Sequence, residues 1–388
     1  MKKGIILTVI AACLLAGCGK HHKDLDPLAE SGRTQNTENL LANMKAQADS
    51  AGYMFGHQDD MMYGIGWKGD SMRSDIKSVC GDYPAVFGFD LGYLESGSDT
   101  VNLDGVSFDK IKEQAAMMFQ RGAMITLSWH PRNPLIDGET AWVKPDSLTD
   151  RQKQTVAAVL PGGEAHDKYM EWLDRLAEFI SGIKTPYGVK VPVVFRPYHE
   201  NTGSWFWWGE NLCSAEQYKQ LWQMTIDRFK EKGVTNVLYA YSPGGEIDGS
   251  EEKFLERYPG DDLIDIVGFD QYCFAESGDT TAVYNYQQLL QKNAAVICAF
   301  AQKHGKAAAI TETGFEGIKT DNWWTHTLQP VLDANKLAYV LVWRNAHDKQ
   351  GHFYAPYPGQ QSCSDFIKFY NNPKTLFLKH VNALYVKK

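Results

Sequence analysis

The sequence repeats one unit eight times, and this repeat restricts the possible fold more than any other feature. Each unit is a short apolar run that ends in polar residues. The eight runs cover residues 53–59, 85–90, 123–130, 191–200, 236–242, 264–272, 307–312 and 338–344. Near-continuous apolar runs are typical of parallel strands that are covered on both faces. The sequence therefore predicts eight parallel strands.

Several connections between these runs have the apolar periodicity of amphipathic helices. They cover residues 108–121, 167–180, 214–232 and 286–304. Ser214, with Gln217 three residues later, has the pattern of a capping box at the start of the third helix. Strands and helices that alternate eight times predict an α/β protein that is a single (β/α)8 TIM barrel with long βα loops. An open doubly wound sheet is the alternative, but eight units favour closure.

Enzymes with a TIM barrel place their chemistry at the C-terminal ends of the strands. The polar residues at the ends of the eight runs are His57, Asp59, Asp60, Asp90, His130, Arg196, His199, Glu200, Asp270, Tyr272, Glu312 and Arg344. Burying a polar group without a partner is costly, so a ring of such groups around one mouth predicts a catalytic face. For His57 and Asp270, structural hydrogen bonding at the rim is an equally good interpretation.

Two glutamates, Glu200 and Glu312, end the fourth and seventh runs. Strands that are three apart in a small barrel face each other across its mouth, so a scissile bond fits between the two carboxyl groups. The segment after Glu200 is rich in flat aromatic side chains, namely Trp205, Phe206, Trp207 and Trp208. Two carboxyl groups beside aromatic platforms for sugar rings indicate glycoside hydrolysis. Packing beneath the loop is the alternative for Trp207 and Trp208, because consecutive aromatic residues cannot all face one cleft.

A long connection, residues 131–167, joins the third strand to the next helix. Loops of this length in a barrel usually shape the binding cleft. Trp142 within it is a candidate for stacking on a sugar, and packing inside the loop is an equal alternative.

The N-terminal 18 residues have the pattern of a lipoprotein signal peptide. Two lysines precede a short apolar stretch, and Leu15-Ala-Gly-Cys18 resembles the lipobox of bacterial lipoproteins, in which the cysteine receives the lipid. An ordinary secretory peptide is the alternative. Residues 19–36 are interpreted as a tether and residues 37–388 as the catalytic barrel. An acidic stretch after Cys18 often marks surface export, and residues 19–22 contain no acid, which favours an outer-membrane lipoprotein that faces the periplasm.

Charge and cysteine content limit the partners. The net charge is −8 and there is no strongly basic block, so nucleic acid is not an expected partner. Five cysteines follow Cys18 at wide spacings without a Cys-x-x-Cys pair, so no zinc site is expected from them. One disulfide stays open as a possibility.

Several motifs surround the polar residues at the strand ends. They read Arg196-Pro-Tyr-His-Glu-Asn-Thr-Gly-Ser-Trp-Phe-Trp-Trp-Gly209, Thr311-Glu-Thr-Gly314, Ser128-Trp-His-Pro131, Gly268-Phe-Asp-Gln-Tyr272 and Val342-Trp-Arg344. In their residues and their order they resemble glycoside hydrolase family 26, which consists chiefly of bacterial β-mannanases. The resemblance spans about residues 38–384 and implies a (β/α)8 barrel and a retaining double displacement.

The resemblance also implies roles for individual residues. Glu200 matches the general acid/base, and Glu312 matches the nucleophile. His199 is expected to neighbour the acid and to hold the hydrogen-bond network of the nucleophile. Tyr272 is expected to hydrogen-bond Glu312. His130, Trp343 and Arg344 match residues that line the sugar site on the non-reducing side of the cleaved bond. Trp205 matches the tryptophan beside the leaving group.

These expectations define a retaining enzyme that cleaves β-1,4-mannosidic linkages in mannan, galactomannan or glucomannan. The products are manno-oligosaccharides, including mannobiose, and the mechanism needs neither a cofactor nor a metal ion. The expected partners are a β-mannan polysaccharide and, through the lipid on Cys18, a membrane. The alternatives are another β-glycanase acting on mixed-linkage glucan or β-1,3-xylan, a non-catalytic glycan-binding lipoprotein, and, more weakly, a metal-dependent hydrolase.

Overall fold

Eight parallel strands form a closed barrel. A computed structural model describes residues 26–50, 52–136, 138 and 140–387. The barrel strands are β1 (Tyr53–Gln58), β2 (Val86–Asp90), β3 (Met124–Trp129), β4 (Val193–Pro197), β5 (Val237–Tyr241), β6 (Ile266–Cys273), β7 (Ala307–Phe315) and β8 (Tyr339–Val342). They pair in chain order, and β8 pairs with β1, which closes the barrel. Each predicted run overlaps one strand, although β6 and β7 extend past the predicted ends at residues 272 and 312. The prediction of a (β/α)8 barrel is confirmed.

Helices surround the barrel. They are α1 (Gln35–Asp49), α2 (Asp75–Cys80), α3 (Phe108–Gln120), α4 (Thr155–Val159), α5 (His166–Ser181), α6 (Ala215–Glu231), α7 (Glu251–Glu256), α8 (Thr280–His304), α9 (Gln329–Ala334) and α10 (Cys363–Tyr370). The four predicted helices are α3, α5, α6 and α8, and α8 begins earlier than predicted. The predicted capping box of α6 is present, because the Ser214 and Gln217 side chains each accept from the other residue's backbone N–H.

Strand β4 shows how alternate side chains divide between the helix layer and the barrel interior. Phe195 stacks on Phe229 of α6 with ring centroids 5.5 Å apart. The next residue, Arg196, points to the other face and reaches carboxyl groups on β6 and β7. Successive strand residues face opposite sides, so one strand supplies both the core and the mouth.

The prediction that the fourth strand continues to residue 200 is wrong at its C-terminal end. Strand β4 ends at Pro197. Tyr198 and Glu200 then adopt left-handed backbone conformations, with φ of 54° and 53°. A left-handed residue cannot continue a pleated strand, so the chain turns at this point.

The loops that follow β3 and β4 contact each other. The segment of residues 131–167 is held against the loop after β4, because the Val143 N–H donates to the Trp205 carbonyl at 2.8 Å and Trp142 forms a β-bridge with Phe206.

Residues 64–69 match Gly-x-Gly-x-x-Gly, but they form the turn of a small antiparallel hairpin rather than a strand-to-helix turn. No phosphate cradle of the doubly wound type is therefore formed there.

The packed unit begins before residue 37. Residues 26–36, assigned by sequence to a tether, contact the barrel: Arg33 donates two hydrogen bonds of 2.8 Å to Asp265, and the Thr34 N–H donates to the Thr235 carbonyl. The signal peptide, Cys18 and residues 19–25 lie outside the described residues. Within the described part, no helix is both long and apolar enough to cross a bilayer, and the five cysteines are free thiols.

Candidate active site

Arg196 joins two carboxyl groups at the centre of the barrel mouth. Its guanidinium donates to Asp270 Oδ2 and to Glu312 Oε2, each at 2.5 Å. Asp270 and Glu312 are cross-strand partners on β6 and β7, next to an irregularity in the strand register. Burial, together with the charge of Glu312, raises the pKa of Asp270, while Arg196 opposes the shift. Asp270 also accepts from Thr311 and Ser242, so it is a hydrogen-bonded support for Arg196.

The carboxyl group of Glu312 is oriented by two donors. Arg196 donates to Oε2, and the Tyr272 hydroxyl donates to Oε1. Only 4% of Glu312 is exposed. The predicted hydrogen bond between Tyr272 and Glu312 is therefore present. A carboxyl group whose two oxygens each accept from a fixed donor is held in a defined orientation.

Glu200 lies in the loop after β4 and is partly exposed at the mouth. Burial is the main cause that raises its pKa well above the usual range, and the negative charges of Glu312 and Asp270 add to the shift. The Trp205 indole N–H donates to Glu200 Oε2 at 2.7 Å and opposes the shift. The site therefore contains one carboxyl group that retains its proton to higher pH than an ordinary glutamate.

Two histidines share a hydrogen bond beside these carboxyl groups. His130 contacts Asp90 through Nδ1 at 2.6 Å and His199 through Nε2 at 3.0 Å. Burial opposes a positive charge on His130, but Asp90 outweighs it and raises the pKa of His130. Burial, Arg196 and His130 lower the pKa of His199 well below its usual value. These opposite shifts favour the proton on His130 rather than on His199, and the Nε2 atoms of the two rings share the hydrogen bond.

His199 was expected to hold the hydrogen-bond network of Glu312, but it contacts His130 instead. In the described part of the chain, the hydrogen bonds to Glu312 come from Arg196 and Tyr272, whereas His199 bonds His130. His199 neighbours the acid in sequence, as the resemblance implied. Arg196 was recognised by sequence only as one member of a polar ring. Its central position depends on three strands meeting, which no local pattern reveals.

A second polar cluster lies around Arg344, just beyond β8. Arg344 contacts Asp104 Oδ1 at 3.0 Å and the Tyr63 hydroxyl at 3.4 Å, and Tyr63 donates to Asp59 at 2.6 Å. Burial raises the pKa of Asp104 to about 6, while Arg344 opposes the shift. Sequence analysis missed Asp104 and Tyr63, because neither is at the end of an apolar run. His57, by contrast, is buried and pairs with Asp60, as the structural alternative expected.

The aromatic residues divide into exposed platforms and buried supports. Trp205 and Trp343 are partly exposed at the mouth. Trp207 and Trp208 are buried, and their indole N–H groups donate to the carbonyls of Pro131 and His199. The packing alternative for these two is thus correct. Trp142 is 53% exposed and lies against Phe206, with ring centroids 4.6 Å apart.

The fold and the paired glutamates define a class of enzyme. A closed (β/α)8 barrel that presents one oriented carboxyl group, one carboxyl group of raised pKa and partly exposed tryptophans at a single mouth is a glycoside hydrolase. The family model described as glycosyl hydrolase family 26 matches residues 29–338. The chain belongs to this family.

Similar proteins of known structure and sequence agree with the family. A β-mannanase of the family from Bacteroides ovatus has 52% sequence identity, with a TM-score of 0.86 over 92% of this chain and 98% of that one. A mannan endo-1,4-β-mannosidase of Bifidobacterium adolescentis is 31% identical over 81% of this chain, which spans 32% of that relative. A Bacillus subtilis enzyme with the same description is 25% identical over 74% of this chain and 76% of its own length.

Proposed function

We propose that this chain cleaves β-1,4-mannosidic linkages in mannan, galactomannan or glucomannan by a retaining double displacement, with Glu312 as the nucleophile and Glu200 as the acid/base. The observation that carries the assignment is the difference between the two carboxyl groups. Glu312 is oriented by Arg196 and Tyr272, whereas the pKa of Glu200 is raised. The names of the relatives support the choice of mannan as the substrate.

In the first step, an oxygen of Glu312 attacks the anomeric carbon of the sugar. Glu200 gives its proton to the glycosidic oxygen as the bond between that oxygen and the anomeric carbon breaks. The leaving chain departs as a neutral alcohol, and the sugar stays bound to Glu312 as an ester. The raised pKa of Glu200 suits this step, because the acid must carry a proton near neutral pH.

In the second step, Glu200 acts as the base. The charge of Glu312 is absent from the ester, and that charge is one cause of the raised pKa of Glu200. The pKa of Glu200 therefore falls when the intermediate forms. Ionised Glu200 removes a proton from water, and the water oxygen attacks the anomeric carbon and releases Glu312. Two inversions at one carbon give net retention.

The residues around the two glutamates supply sugar contacts in this proposal. His130, Trp343 and Arg344 line the side of the non-reducing sugars, and Trp205 lies beside the leaving group. Trp205 donates to Glu200 and is partly exposed, which supports a position next to the scissile bond. His199 acts on the substrate side through its contact with His130.

Substrate preference is tested with purified protein and four polymers. Linear mannan, galactomannan, lichenan and β-1,3-xylan are incubated separately, and the products are separated by chromatography. We expect manno-oligosaccharides, with mannobiose prominent, and little product from the other two polymers. Faster release of glucose oligomers from lichenan than of mannose oligomers from mannan would contradict the mannanase assignment while leaving the glycosidase mechanism in place.

The two carboxyl roles are separated by the leaving group. Glu312→Gln should be nearly inactive on every substrate, because no ester forms. Glu200→Gln should lose about 10²–10⁴-fold on mannan but much less in the first step on a dinitrophenyl mannobioside, whose leaving group needs no proton. That substrate should show a burst followed by slow turnover. Equal losses for both variants on both substrates would contradict the assignment of the two roles.

We also propose that Cys18 carries the lipid and that the enzyme faces the periplasm from the outer membrane. The lipobox-like Leu15-Ala-Gly-Cys18 and the lack of acids in residues 19–22 support this. Wild type should partition with membranes, and Cys18→Ser should be released or remain unprocessed. Removal of the protein from intact cells by added protease would contradict the periplasmic position.

A further inference from the structure

The order in which side chains face inward and outward changes abruptly after β4. Phe195 points outward to α6 and Arg196 points inward. Continued alternation would place residues 198 and 200 inside and residue 199 outside. Instead, Tyr198 points outward into the helix layer, and both His199 and Glu200 face the mouth. The left-handed conformations of Tyr198 and Glu200 produce this change of phase.

The phenol of Tyr198 is fixed by hydrogen bonds to two helices. Its oxygen lies 2.7 Å from the Tyr169 hydroxyl on α5 and 2.7 Å from the Thr225 hydroxyl on α6. The Thr225 hydroxyl donates to the Leu221 carbonyl at 2.8 Å, and in that arrangement it accepts from Tyr198. Tyr169 then donates to Tyr198.

The backbone on either side of Tyr198 is held as well. The Tyr218 hydroxyl on α6 donates to the Tyr198 carbonyl at 2.7 Å, and the Trp208 indole donates to the His199 carbonyl at 2.8 Å. The Glu200 N–H donates to the Ser242 carbonyl at 2.8 Å. Non-glycine residues persist in the left-handed region only when their surroundings hold them there. These contacts form such surroundings.

We infer that Tyr198 is a positioning residue for acid catalysis: its hydroxyl, anchored to Tyr169 and Thr225, maintains the turn that brings His199 and Glu200 together into the barrel mouth. Tyr198 is fully buried, and its phenol lies in the helix layer rather than in the mouth. Its effect passes through the backbone to Glu200. A proton donor displaced by about 1 Å can cost on the order of 10²-fold in rate. This inference rests on the proposed role of Glu200 as the acid.

The test compares kcat/KM for a manno-oligosaccharide and for a dinitrophenyl mannobioside in wild type, Tyr198→Phe and Thr225→Val. The first variant keeps the ring and removes the hydroxyl, and the second removes only the acceptor on α6. The value of kcat/KM reports the first step. In that step the leaving group of the oligosaccharide needs a proton from the acid, whereas the dinitrophenyl group does not. We expect a 10- to 100-fold loss on the oligosaccharide and less than threefold on the dinitrophenyl substrate.

Two controls separate positioning from stability. Thr225→Ser keeps the accepting hydroxyl and should retain wild-type kinetics. Tyr53→Phe removes another buried hydroxyl with two partners, Asp333 and Thr375, at the N-terminal end of β1. It should lower the melting temperature without changing the ratio of the two kcat/KM values. Melting temperatures are measured for all variants.

The outcomes distinguish this inference from the proposed function. Equal losses on both substrates in Tyr198→Phe and Thr225→Val, or no loss, would overturn the inference while Glu200→Gln still shows its leaving-group dependence. A wild-type protein that hydrolyses neither substrate would overturn the proposed function and this inference with it. Should Tyr198→Phe fail to fold, Thr225→Val compared with Thr225→Ser decides the question in the same way.

Discussion

At the scale of single residues, the site places two chemically identical side chains in different surroundings. Glu200 and Glu312 differ only in their surroundings. Glu312 accepts hydrogen bonds from Arg196 and Tyr272. Glu200 accepts one from Trp205, and the negative charges of Glu312 and Asp270 raise its pKa. Different surroundings of this kind are what the proposed roles of acid and nucleophile require of two paired carboxyl groups.

The Trp205 hydrogen bond leads to a prediction about pH dependence. The indole N–H stabilises ionised Glu200 and so lowers its pKa. Trp205→Phe should therefore raise the pKa of Glu200. Because Glu200 in its proposed role as the acid works only when protonated, activity is lost as pH rises through this pKa. The alkaline limb of the kcat/KM profile on mannan should move to higher pH in the variant.

The control for this prediction is Trp207→Phe. It removes a similar indole donor, which bonds the Pro131 carbonyl instead of Glu200. Its alkaline limb should coincide with that of wild type. A limb that moves to lower pH in Trp205→Phe, or equally in both variants, would show that the indole does not set the pKa of the acid.

At the scale of elements, the site combines residues from β7 and from the turn after β4, and helix α6 contacts that turn. Strand β7 carries Glu312 within the strand itself, whereas Glu200 follows a turn after β4. Helix α6 follows that turn and begins at the Ser214 capping box, and its Tyr218 and Thr225 contact Tyr198. The helix therefore contributes both to folding and to the position of the turn that carries Glu200.

The capping box predicts a stability change without a change in chemistry. Ser214→Ala removes a hydroxyl that accepts from the Gln217 N–H at 3.2 Å. Loss of such a cap typically costs about 1 kcal/mol, and the free energy of unfolding should fall by that amount in chemical denaturation. Ser107→Ala is the matched control, because Ser107 occupies the cap of α3 without a side-chain cap bond. Equal effects of the two substitutions would contradict this account of the cap.

At the scale of the whole molecule, the barrel is closed by pairing between β8 and β1, and the segment of residues 26–36 packs against it from outside. Arg33 reaches Asp265, which precedes β6 and also accepts from the Tyr239 N–H of β5. The ion pair therefore connects the N-terminal segment to two neighbouring strands. Both side chains are largely buried, so the pair is less screened than an exposed one.

This connection predicts that Arg33→Ala destabilises the whole barrel. Two hydrogen bonds to a charged partner are lost and Asp265 is left without its cation, which should lower the free energy of unfolding by about 1–3 kcal/mol. Lys336→Ala, which breaks the exposed pair with Asp49, is the control and should have little effect. Chemical denaturation of both variants measures the difference. If Arg33→Ala is as stable as wild type, residues 26–36 behave as the tether predicted from sequence.

The sequence alone determined the barrel, the family and the candidate residues, because apolar periodicity and short motifs are local properties. The eight strands and the capping box at Ser214 followed from these local patterns, and the hydrogen bond from Tyr272 to Glu312 followed from the resemblance to the family. Only the tertiary structure decided what depends on residues far apart in the chain. Arg196 lies between Asp270 and Glu312 because three strands converge there. The turn at Tyr198 is held by α5 and α6, and no pattern within residues 191–200 encodes the helices that hold it.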